Sequence, residues 1–145
     1  MVGVIFSILG GMLLSIQSVF NTRVSEKVGL WETTAVVHAI GLAFALFIIL
    51  FTGSEGFKKI GEVNSLYLFG GTFGVIIVFS IMKGVSSLGA AYAIAVLMIA
   101  QLLVATIIDS YGLFGMPSVK LGLTKILGIL TMIIGIIIFN YHSGK

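Results

Sequence analysis

The chain has no cysteine, which excludes disulfides, thiolate nucleophiles and cysteine-ligated metal sites. It has one proline, Pro117, placed in a connecting segment where a missing backbone donor does no harm. Charge is scarce as well: 9% of the 145 residues are Asp, Glu, Lys or Arg, against about 25% in a typical soluble domain. So few charges cannot cover a water-soluble globule of this size. The eight Lys and Arg are scattered and form no stripe, which argues against nucleic-acid binding. No GxxxxGK[ST] loop occurs, so ATP-driven pumping by this chain alone is not expected. No nucleophile, base and orienting acid recur at usable spacing, and two histidines cannot form a metal site unaided. The expectation is a protein without cofactor, metal or enzymatic chemistry.

What is present is hydrocarbon. Hydrophobic residues make up 59% of the chain, and the mean hydropathy is +1.23. Five runs have the length of about 17–25 residues that a membrane-spanning helix needs: Val2–Phe20, Thr33–Phe51, Leu66–Met82, Leu88–Ile108 and Leu121–Tyr141. Nearly all the charge falls in the connections NTRVSEKVGLWE, TGSEGFKKIGEVNS, KGVSS and DSYGLFGMPSVK, none long enough to fold as a soluble domain. The first run lacks a basic leader and a small-residue cleavage site, so it reads as a retained span. Every backbone amide in lipid must be paired within its own segment or in a closed barrel, and these runs are too continuous for barrel strands. The reading is an all-α integral membrane bundle of five helices in one transmembrane domain, residues 1–145, located in the cell membrane with the lipid bilayer as its first partner.

Nineteen glycines punctuate the apolar runs. Gly70 and Gly74 form a GxxxG in the third run, and Gly128 and Gly135 lie seven apart in the fifth. Small residues at such spacings let a neighbouring helix approach closely, either within one copy or from a second.

Five spans put the termini on opposite sides. One side then receives Lys58, Lys59, Lys120 and Lys125, the other Arg23, Lys27, Lys83 and Lys145. Orientation normally follows the side richer in Lys and Arg, and here the sides tie. Three readings stay open: insertion one way through unequal weighting of the loops, insertion both ways with copies pairing as an antiparallel homodimer, or a heterodimer with an oppositely biased paralogue.

The polar residues inside the runs are the site candidates. Gln17 and Asn21 are four apart and share a helix face. Glu32 opens the second run beside Trp31, an interface anchor, and His38 follows just over one turn later. In the fourth run Gln101 lies nearest mid-membrane, and Asp109 closes the run. The two are separated by about 80° around the helix and about 12 Å along it. A carboxylate or amide at membrane depth needs a partner or a wet cavity and marks a functional site by default. Within one copy Gln17, Asn21 and His38 belong to the opposite membrane face from Asp109. In an antiparallel dimer they would meet the partner's Asp109, with the two Gln101 side chains flanking the centre.

QSVFN (Gln17–Asn21), GGTFGV (Gly70–Val75) and LGAAYAIAVLMIAQLLVATIIDSYGLFG (Leu88–Gly115) together resemble the YdcZ-type five-helix bacterial family of the drug/metabolite transporter superfamily. The resemblance covers the whole chain. It implies a bacterial inner-membrane protein that is a half-size unit related to ten-helix carriers, in which two five-helix halves form an inverted repeat; the antiparallel dimerisation suggested by the charge tie would complete such a unit. It does not imply a cargo. The related four-helix multidrug exporters use a Glu in their first helix. This chain has Gln17 nearest that place, so antiport through such a Glu does not carry over. The function expected is secondary transport of a small metabolite or amphiphile by alternating access at a dimer interface. A small dual-topology channel, or a non-catalytic subunit of a heteromeric transporter, are the alternatives.

Overall fold

The computed structural model describes residues 1–53 and 56–141. Ser54, Glu55 and residues 142–145, among them the Lys145 of the charge balance, lie outside the described residues. Every regular element among the described residues is helical: α1 (Val2–Val28), α2 (Leu30–Thr52), α3 (Ser65–Leu68), α4 (Gly70–Leu88), α5 (Ala90–Tyr111) and α6 (Leu123–Asn140). Tight 3-10 turns occupy Gly56–Glu62 and Leu113–Gly115. With α3 and α4 counted together as Ser65–Leu88, five helices are long and apolar enough to cross a membrane. At most 6% of the most apolar window of each is buried. The apolar side chains therefore point outward, the reverse of a soluble fold and what a lipid solvent requires.

The helices run further than the apolar runs. Asn21–Val28 continues α1 instead of forming a loop, because its polar residues include neither Gly nor Pro. The Arg23 guanidinium also meets the Glu26 carboxylate at 3.2 Å one turn away. Gly29 ends the helix at φ 100°, ψ 159°, a conformation closed to residues with a Cβ, and α2 starts at the next residue. KGVSS likewise stays helical to Leu88, with the Ser86 and Ser87 hydroxyls donating to the Lys83 carbonyl. Gly89, at φ 79°, makes the break before α5. Two of the expected loops are thus single glycines.

The chain divides into two compact units, Met1–Ser87 and the residues from Leu88 onward. In the first unit α1 and α2 run antiparallel, with residues from Gly10 to Asn21 and from Val37 to Phe44 lining a shared cleft. The buried residues collect at the Gly29 end: Ser18, Asn21 and Thr22 on α1, Thr33 and Thr34 on α2, and Ile81, Met82 and Val85 on α4. A buried hydroxyl must be paired, and these pair within their own helices. Thr22 donates to the Ser18 carbonyl (2.7 Å), Thr33 to that of Gly29 (2.7 Å) and Thr34 to that of Leu30 (2.8 Å). Trp31 of α2 stacks on Phe79 of α4 with ring centroids 4.4 Å apart, so the expected interface anchor also fastens α4.

In the second unit α5 and α6 run antiparallel, joined by a loop tied back over the end of α5. Gly112 caps α5 in the left-handed conformation. The Val119 N–H donates to the Asp109 carbonyl at 2.8 Å, and the Ser118 hydroxyl donates to the Ser110 carbonyl at 3.2 Å.

Candidate functional site

Two sets of polar side chains occupy clefts, one in each unit. The α1/α2 cleft measures about 630 Å³, within the range of about 300–1,000 Å³ typical of small-molecule sites. Gln17 and Asn21 line it together among Leu, Ile and Phe side chains, as their i, i+4 spacing requires. Asn21 is 6% exposed. Its side chain has no hydrogen-bond partner among the described residues, and its amide remains open to the cleft. The neighbouring hydroxyls differ in this respect, since each spends its proton on its own helix.

His38 is not part of this cleft. Its Nδ1–H donates to the Thr34 carbonyl at 2.8 Å, and its Nε2 faces Gly74 of α4, where a Cβ would stand 3.5 Å away. The cluster of Gln17, Asn21 and His38 expected from their shared depth is therefore two amides in a cleft and a histidine turned to another helix. Depth along an apolar run does not specify which side of the helix a residue occupies. The exposed Glu32 carboxylate sits in the first turn of α2, where negative charge suits the helix dipole. It folds back over Gly29, so a Cβ there would have to displace it.

In the second unit the α5/α6 cleft measures about 540 Å³. Asp109 lines it, half-buried, and so does Lys125 from the first turn of α6. Each charge occupies the unfavourable pole of its helix: a carboxylate in the last turn of α5 and an ammonium at the start of α6. Each such placement costs about 0.3–1 kcal/mol near a surface. The two charges do not pair directly, since Arg23–Glu26 is the sole ion pair within 4 Å among the described residues. Lys125 enters the sequence reading only as an orientation charge. The signal available there is that both residues flank the same connection, Asp109–Lys120, at the ends of adjoining spans.

Gln101 is exposed and lines neither this cleft nor the apolar α5/α6 cleft beside it, which Ala91, Ala95, Met98 and Gly135 line. It lies roughly 80° around α5 from the stripe facing α6, at 100° per residue. Its amide has no partner among the described residues. Of the four packing glycines, Gly74 alone would bring a Cβ within 4 Å of another group; at Gly70, Gly128 and Gly135 it would meet open space. Among the described residues those three glycines do not mediate a close helix contact. Gly128 and Gly135 instead hollow out the clefts between α5 and α6. Among the described residues no group of three or more His, Cys, Asp or Glu could hold a metal ion.

Residues 2–138 match the family described as "Putative inner membrane exporter, YdcZ". The chain belongs to this family. No curated protein and no solved structure matches it. YdcZ membership and five helices of spanning length together make it an integral protein of the inner membrane. The family description agrees with a transport protein rather than an enzyme. The match spans the residues that line both the α1/α2 and the α5/α6 clefts.

Proposed function

We propose that this YdcZ-family chain is a secondary carrier, not an enzyme, that moves a small metabolite or amphiphile by alternating access in an antiparallel dimer. The observation that carries this reading is Asn21: a residue 6% exposed whose amide has no partner among the described residues and opens on the apolar cleft it shares with Gln17. A polar group in that state at membrane depth is costly unless it meets a ligand or a partner. Gln101 supports the dimer. Its amide is exposed near mid-span without a partner among the described residues, and a second copy running the other way would bring an identical amide to the same depth. Two copies inserted oppositely form an inverted repeat, the arrangement an odd number of spans also gives on tandem duplication, and such repeats suit rocking about a midplane site. The balanced Lys and Arg count favours insertion in both orientations. In this arrangement Asp109 of one copy and the Gln17–Asn21 amides of the other form the gate at each membrane face.

The test is flux through protein reconstituted in liposomes, using a panel of labelled cationic, anionic and zwitterionic amphiphiles. A carrier shows saturable uptake accelerated by the same compound on the far side, at turnover below about 10³ per second as conformational gating requires. Asp109→Asn abolishes that uptake while expression and dimerisation persist. Ohmic single-channel current, unimpaired uptake by Asp109→Asn, or no flux for any panel member overturns the proposal.

A further inference from the structure

The α5/α6 cleft has a charged rim and an apolar depth. At the rim stand Asp109 and Lys125, opposite in sign and not paired with each other. Deeper in, Leu102, Ala105, Gly128, Ile129 and Met132 form the walls. From Asp109 to Leu102 the cleft runs about 10 Å along α5 at 1.5 Å per residue. The cleft is wide there because Gly128 has no side chain, and a Cβ at that position would touch nothing. The two hydroxyls nearest the rim are already committed, Thr106 to the Leu102 carbonyl (2.7 Å) and Ser110 to the Thr106 carbonyl (2.6 Å). Asp109 and Lys125 are therefore the polar side chains left free for a ligand. The loop fastened from Val119 and Ser118 to the end of α5 holds the start of α6 close to Asp109, so the rim is built and not incidental.

A ligand matching this cleft carries a positive and a negative group on one head and a short alkyl chain. We propose that the α5/α6 cleft binds a small zwitterionic amphiphile, its ammonium on Asp109, its acid group on Lys125 and its tail along the Leu102–Met132 walls. This deepens the carrier reading, on which it rests for its role in transport, by naming the substrate class. A cationic amphiphile alone would leave Lys125 unpaired against it. A fatty acid would leave Asp109 so. Each mismatch costs a desolvated charge and lowers affinity. A zwitterionic lipid headgroup has the same chemistry as a free zwitterion, and the test must separate the two sources.

The experiment measures equilibrium binding to the full chain in phosphatidylglycerol nanodiscs, which contain no zwitterionic headgroup. The probes are 2-aminooctanoate, heptylamine, which lacks its carboxylate, and octanoate, which lacks its amine. The expected result is saturable binding of 2-aminooctanoate at least tenfold tighter than either single-charge probe. Asp109→Lys and Lys125→Asp each abolish that preference, and the double exchange Asp109→Lys/Lys125→Asp restores it. Restoration separates recognition from a folding defect, since a damaged fold would not recover binding. Equal affinity for the three probes, no saturable binding of 2-aminooctanoate, or failure of the double exchange overturns the proposal. Suppression of binding in phosphatidylethanolamine nanodiscs overturns the assignment to a free solute. Flux of another panel member without binding of 2-aminooctanoate removes this inference and leaves the carrier. Binding without flux removes the carrier and leaves the site.

Discussion

His38 Nε2 lies 3.5 Å from the place a Cβ would occupy on Gly74. The other ring nitrogen donates to the Thr34 carbonyl at 2.8 Å, which fixes the proton of a neutral ring on Nδ1 and turns an acceptor toward α4. A distance of 3.5 Å is ordinary van der Waals contact, so Gly74→Ala is expected to leave stability within about 0.5 kcal/mol. Gly74→Leu drives a branched side chain into the ring and costs about 1–3 kcal/mol. Unfolding by SDS in mixed micelles measures both. His38→Ala in the Gly74→Leu background recovers most of the loss if the ring is the obstacle, and an unchanged loss places the collision elsewhere.

Asn21 lets function and stability be pulled apart. Asn21 is 6% exposed, and its amide, without a partner among the described residues, opens on the apolar cleft; left unpaired against an apolar surface such a group costs up to about 1–3 kcal/mol. Asn21→Leu, of the same branching, is expected to raise the thermal midpoint in detergent while lowering transport. A fall in both would mean that the amide is held by a contact essential to the fold.

Orientation is tested at Lys58, exposed in the turn after α2, and Lys83, exposed near the end of α4. Cysteine placed singly at either position has no competitor, since the chain has none of its own. Labelling of each variant from both sides of intact cells, with about half the population reacting on either side, is expected of insertion both ways. Strictly one-sided labelling removes the antiparallel homodimer.

Trp31 and Phe79 join α2 to α4 through stacked rings 4.4 Å apart. Alanine at either position, combined in a double-mutant cycle, is expected to give a coupling of about 0.5–1.5 kcal/mol. Trp31 is the only tryptophan, so Phe79→Ala also shifts its fluorescence directly. An unchanged spectrum with no coupling would show that α4 is held in place by the buried Met82 and its neighbours instead.

The apolar runs by themselves determined that this is a membrane protein with five spanning helices. A continuous run of that length has one way to satisfy its backbone in lipid, whatever surrounds it. The i, i+4 spacing of Gln17 and Asn21 likewise put both on one face before any neighbour was known. The resemblance read from QSVFN, GGTFGV and the Leu88–Gly115 segment agrees with the family match over residues 2–138. Tertiary structure alone decided what each polar group meets. Hydropathy measures depth and not azimuth, so it set His38 beside Gln17 and Asn21, whereas rotation about α2 turns it to Gly74. The helix breaks at Gly29 and Gly89 were hidden for a different reason: polar residues next to an apolar run read as a loop, yet remain helical until a glycine takes a positive φ. Asp109 and Lys125 lie in separate runs and face one cleft only because α6 packs antiparallel on α5.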